Sequence, residues 1–157
     1  MLRTLALPLA GIALSLAVPA SAQTYGVVKP FTIKKMYEGP KFVRCVADYG
    51  NPALLRIAWF AADRSYWVSI PGANYQGGPP AMLISIDGRP PLRVASNGDA
   101  QRPGAKLPPN VVDAFLGARQ SIAIQYANAR YLWNIAGTDM TNVFTTMENC
   151  VFSVIRP

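Results

Sequence analysis

Residues 42–70 read FVRCVADYGNPALLRIAWFAADRSYWVSI, and this stretch decides the fold class. From Phe42 to Tyr49 the residues alternate. Phe42, Val46 and Asp48 fall on one side and Val43, Cys45 and Ala47 on the other, the period of two that marks a β-strand. Gly50-Asn51-Pro52 turns the chain into a second run, Leu54 to Phe60, and Ala62-Asp63-Arg64-Ser65 turns it into a third, Tyr66 to Ile70. Connections this short cannot hold a crossover helix, so the three runs form an antiparallel meander. Trp59-Phe60 and Tyr66-Trp67 face each other across the second turn. Neighbours on a strand point to opposite faces, so one member of each pair faces the core and the other faces outward.

C-terminal to the meander, Pro71 to Pro80 reads as an irregular loop carrying Tyr75. Ala81 to Ile86 is a compact apolar strand, Asp87-Gly88 a turn, and Leu92 to Ala95 the return strand. Ser96 to Pro109 reads as a second long loop. A first short helix is capped by Asn110, complemented by Asp113, apolar at Val112, Phe115 and Leu116, and stopped at Gly117. Ser121 to Tyr126 and Arg130 to Ile135 pair as strands. A second helix follows Gly137-Thr138-Asp139, with Met140, Val143, Phe144 and Met147 on one face. Cys150 to Ile155 reads as a last strand, tied by its cysteine to the first. The fold class is thus mainly β with two short helices (α+β), an antiparallel meander or sandwich.

The N-terminus reads as an export signal over residues 1–22. Arg3 is its positive region, Leu5 to Val18 its apolar run, and Ala20-Ser21-Ala22 its small-residue cleavage site. The apolar run, about 14 residues, falls short of the about 20 that span a bilayer. Cleavage after Ala22 would leave 135 of the 157 residues and lower the net charge from +7 to +6, a size that fits one domain. The expected location is the periplasm, which disfavours nucleic acid as a partner. In that oxidising compartment Cys45 and Cys150 read as one disulfide, the alternative being two buried thiols. Residues 23–41 form a basic arm, where Lys29, Lys34, Lys35 and Lys41 lead up to Arg44 against Glu38 alone. Such an arm suits an acidic partner, an anionic membrane surface, or simple solvation. The β-rich domain then covers 42–157.

Catalytic patterns are scarce. The chain has no histidine, so the commonest base for serine or cysteine nucleophiles is missing, and two thiols alone do not complete a zinc shell. No cofactor, metal or catalytic residue is assigned. Asp48 and Glu148, the two acids without an evident turn or cap role, are the alternative enzymatic pair. Binding remains, and the candidate partner-binding residues are Trp59, Trp67 and Tyr75 with Lys34 and Lys35. Tyr131 and Trp133 extend the aromatic set.

The layout from Phe42-Val43-Arg44-Cys45 through Tyr66-Trp67-Val68 to Gly137-Thr138, a helix and Cys150 resembles small periplasmic β-proteins of the invasion-associated locus B type. This chain lacks the second cysteine pair usual there, and no functional residue transfers. In size and character it also looks like the small accessory subunit of periplasmic quinoprotein alcohol dehydrogenases. The resemblances imply a non-catalytic accessory subunit that docks on and stabilises a larger periplasmic or membrane-associated protein. The alternative is a free-standing binding protein or an inhibitor of a lytic enzyme.

Overall fold

The structure is a computed structural model that describes residues 20–50, 54–72, 81–98 and 102–155. Its first sheet is built from β1 (Ala20–Val28), β2 (Phe31–Glu38), β3 (Lys41–Tyr49), β4 (Leu55–Phe60) and β5 (Ser65–Ser69) in consecutive antiparallel order. The expected meander is present and is longer at its N-terminal end. Residues 23–41, read as an arm, are strands: Gln23 pairs with Lys35, and Lys34 with Val46. Lysine dilutes the apolar alternation of β2, yet Phe31 and Ile33 are fully buried and anchor it to the core. Ala20-Ser21-Ala22, the expected cleavage tripeptide, forms the outermost rungs of β1 opposite Met36, Tyr37 and Glu38.

β6 (Ala81–Ile86) and β7 (Leu92–Ala95) belong to a second sheet, beside β10 (Ser121–Tyr126) and β11 (Ala129–Asn134), in the order β11-β10-β6-β7. The segment read as a loop from Ser96 to Pro109 contributes β8 (Asn97–Gly98) and β9 (Pro103–Lys106), which complete a seven-stranded first sheet. These strands escape a pattern reading because they are short and rich in Gly and Pro. What orders β9 is long-range pairing, Val68 with Ala105 and Ser69 with Gly104.

Both sheets turn an apolar face into one core. Ile33, Ala47, Ile57, Val68 and Ala105 form a continuous row across five strands and all are fully buried. The second sheet contributes Met82, Ile84, Ile122 and Ile124 to the same cluster.

Two helices complete the core. In α1 (Pro109–Leu116) the cap is Pro108, with no side-chain hydrogen bond, and not Asn110. A proline in the first turn has a preset φ and no N–H to satisfy, so the helix begins before the asparagine. Asp113 lies past the first turn, and the buried face is Val111 and Phe115, with Val112 and Leu116 at its margin. α2 (Met140–Ile155) buries Met140, Val143, Phe144, Met147, Cys150 and Val151. The helical spacing therefore continues through the residues expected to form a last strand. A short apolar run is ambiguous between strand and helix, and here the period set upstream decides it. Asp139 starts α2, its Oδ1 accepting the Asn142 N–H at 3.1 Å. The Cys45–Cys150 disulfide joins β3 to α2, both sulfurs lying in the core.

The Asp87-Gly88 turn is as expected, with φ +52° and +71° and the Arg89 N–H donating to Ile86 O at 3.0 Å. It also has a wider role. The Asp87 carboxylate accepts the backbone N–H groups of Arg119, Gln120 and Ser121 at 2.9, 2.7 and 2.9 Å. Burial opposes its ionisation, but the three amide donors outweigh it and hold the pKa below the usual range. Asp87→Ala is expected to lose about 1–2 kcal/mol, from lost acceptors and an alanine at positive φ. Asp87→Asn, which tolerates that φ and keeps one acceptor, should lose less than half as much in a thermal melt.

Candidate functional site

The face of the first sheet turned away from the core is unusually polar and cationic. Alternation places Asp48, Arg56, Ser69 and Gly104 on one rung, and Lys34, Val46, Ala58, Trp67 and Lys106 on the next. Arg44 and Phe60 lie one rung further along β3 and β4, with the Arg44 guanidinium 5.0 Å from the Phe60 ring centre. Phe60 meets Trp67 edge-on at 6.0 Å. Between these groups lies a recess of about 250 Å³, lined by Arg44, Arg56, Ala58, Phe60, Trp67 and Arg102. The single methyl of Ala58 and the bare backbone of Gly104 help to make it concave.

Its electrostatics centre on Asp48, which is 1% exposed. Arg56 donates to both its oxygens, from Nε at 2.6 Å and Nη2 at 2.9 Å, and Lys34 Nζ donates at 3.0 Å. Burial alone would push the Asp48 pKa up, but the paired donors of Arg56 and Lys34 overcome that and hold it down. Two further arginines border the recess. Arg102 donates from Nε to Ser69 Oγ at 3.0 Å. Arg44 rests on Phe60 and makes no salt bridge among the described residues. Both have lowered pKa values, first through burial and then through the charge of Arg56, with Glu38 and Asp48 partly compensating. A guanidinium stays protonated regardless, so the site holds an excess of positive charge.

Trp67 fixes the recess wall by donating from Nε1 to Ser65 Oγ at 3.1 Å. Ser65 in turn donates to Asp63, which pairs with Lys106 at 2.7 Å.

The aromatic pairs divide as strand geometry requires, Phe60 and Trp67 outward and Trp59 and Tyr66 inward. Trp59 is thereby corrected as a partner-binding residue: it is 7% exposed and packs on Tyr66 and Phe152. Lys34 sits in the site through Asp48, whereas Lys35 points to the other face, 5.3 Å over the Tyr25 ring. Tyr75 lies outside the described residues. Tyr131 and Trp133 stack at 5.8 Å on the second sheet, with Trp133 buried, so they do not extend this face. Asp48 and Glu148 do not assemble into a pair. Glu148 lies on the core side of the first sheet, accepting the Tyr66 hydroxyl, while Asp48 faces the opposite side. Burial, then the Glu148 carboxylate, raise the Tyr66 pKa.

The sequence reading missed Phe60, Arg56 and Arg102 as site residues and counted Arg44 only as surface charge. The alternation held a signal for Arg44, which shares the face of Asp48 on β3, and for Arg56, which shares the face of Phe60 on β4. Arg102 held none, because β9 arrives from about 40 residues away in sequence by long-range pairing.

Compared with known protein families, curated proteins and solved structures, the chain matches none.

Proposed function

We propose that this chain is a non-catalytic binding subunit of the periplasm that docks on a larger, envelope-associated protein through the outward face of its first sheet. The observation that carries the reading is the convergence of Arg44, Arg56 and Arg102 on one aromatic-walled recess, where Asp48 pairs with Arg56 and leaves positive charge in excess. Like charges crowd together at a cost to the folded chain, and an acidic partner surface would relieve it. Arginine, tryptophan and aromatic neighbours are the side chains in which interface energy concentrates. Export by the N-terminal signal supplies the compartment. After cleavage at Ala22 the rungs from Gln23 to Val28 keep β1 in the sheet.

A native pull-down from the producing cell's envelope fraction tests this. Wild-type chain should recover a larger protein, and Arg44→Glu should weaken capture by about tenfold or more. Arg130→Glu, on the second sheet, should leave capture unchanged. Recovery of the chain alone in every detergent and salt condition would overturn the accessory-subunit reading.

A further inference from the structure

Resting on that docking reading, we propose that the recess takes an extended acidic segment of the partner with the pattern acidic–x–apolar–x–acidic, laid parallel to β3 and β4. The face is organised in three successive rungs. Arg44 beside Phe60 forms one cationic end, Arg56 with Arg102 the other, and Ala58 and Trp67 the apolar middle. Arg44 and Asp48, the partner of Arg56, stand four residues apart on β3, about 13 Å along a strand. An extended peptide turns residues i, i+2 and i+4 to one side and covers the same length. Its two carboxylates would reach the two arginine ends while its central side chain fills the recess against Trp67.

The donors suit this arrangement. Arg56 spends Nε and Nη2 on Asp48, which leaves Nη1 to meet an incoming carboxylate. The Arg44 guanidinium keeps its whole fork for another. The volume of about 250 Å³ favours one side chain of a longer ligand. Pockets that enclose a free small molecule run from about 300 to 1,000 Å³.

The probe is a blocked peptide, Gly-Glu-Ser-Phe-Ser-Glu-Gly, titrated by calorimetry onto the full chain. Its isomer Gly-Glu-Ser-Phe-Glu-Ser-Gly has the same composition and charge but puts its carboxylates on opposite sides. The first should bind at least about tenfold more tightly, and Arg44→Glu should abolish the difference. Arg44→Lys, which keeps the charge but loses the fork, should retain only part of it. Equal binding of the two peptides would overturn the inference, leaving attraction by charge alone. So would vesicles of an anionic phospholipid that bind in an Arg44-dependent way without competition from the peptide. If neither peptide binds but the envelope pull-down still depends on Arg44, the segment pattern is wrong and the docking face stands. If the pull-down ignores Arg44 as well, the docking reading falls with it.

Discussion

Replacing both Cys45 and Cys150 by alanine is expected to lower the stability of the domain by about 4–5 kcal/mol. The two cysteines are 105 residues apart in sequence, so their bond holds most of the described domain in one closed loop. The unfolded chain loses much of its freedom, and the loop-entropy argument gives its largest values for loops of this length. The folded state contributes as well. Both sulfurs are fully buried, and the bond fastens α2 to β3 at the centre of the core. For a domain of this size the loss corresponds to roughly 15 °C in Tm. Urea melts of the wild type with and without reductant, beside the double variant, measure it. A difference below about 1 kcal/mol would mean that the helix is held by packing alone.

The second large effect belongs to Asp48. Asp48→Ala removes the one carboxylate that, among the described residues, contacts two cations that are themselves mostly buried, with Lys34 and Arg56 side chains 23% and 20% exposed. Breaking a fully buried pair costs about 3–5 kcal/mol, and partial exposure of these cations reduces the expected loss to about 2–3 kcal/mol. The pH dependence has a definite sign. The folded pKa of Asp48 lies below its unfolded value. Its stabilisation is therefore present above the unfolded value of about 3.9 and is lost as pH falls through the folded one. Melts of the wild type and Asp48→Asn at pH 7 should differ by the pair's contribution. As the pH drops below about 4 the two should converge. A gap that persists in acid would show that Asp48 acts through shape and hydrogen bonding, not charge.

The core of the fold was legible because two short-range signals agreed in it. Between Phe42 and Ile70 the alternation and the turns point to the same strands, and the structure realises all three. Asp87-Gly88 likewise declares its turn through residues that accept positive φ. Illegibility begins where order comes from distant partners. β9 is strand only because it lies beside β5, and β1 and β2 are strands because they extend the meander over the core. The residues after Cys150 look like a strand by composition, but α2 continues through them and packs Phe152 on Trp59.

The candidate site divides along the same line. That one member of each aromatic pair faces outward follows from alternation. The choice of which member of each pair faced out needed the third dimension. So did the meeting of Arg44, Arg56 and Arg102, which come from β3, β4 and the approach to β9. Charge counted along the sequence placed the basic patch near the N-terminus. Folding instead gathers it on a sheet face and sends Lys34 and Lys35 to opposite sides.

Arginine-directed labelling of the chain, free and in complex with the protein it captures, tests the docking face most directly. Mass spectrometry would report modification at each arginine. Arg44 should label in the free chain and be protected in the complex, while Arg130 on the second sheet labels equally in both. Protection of Arg130 with Arg44 still reactive would place the partner on the other sheet and contradict the account.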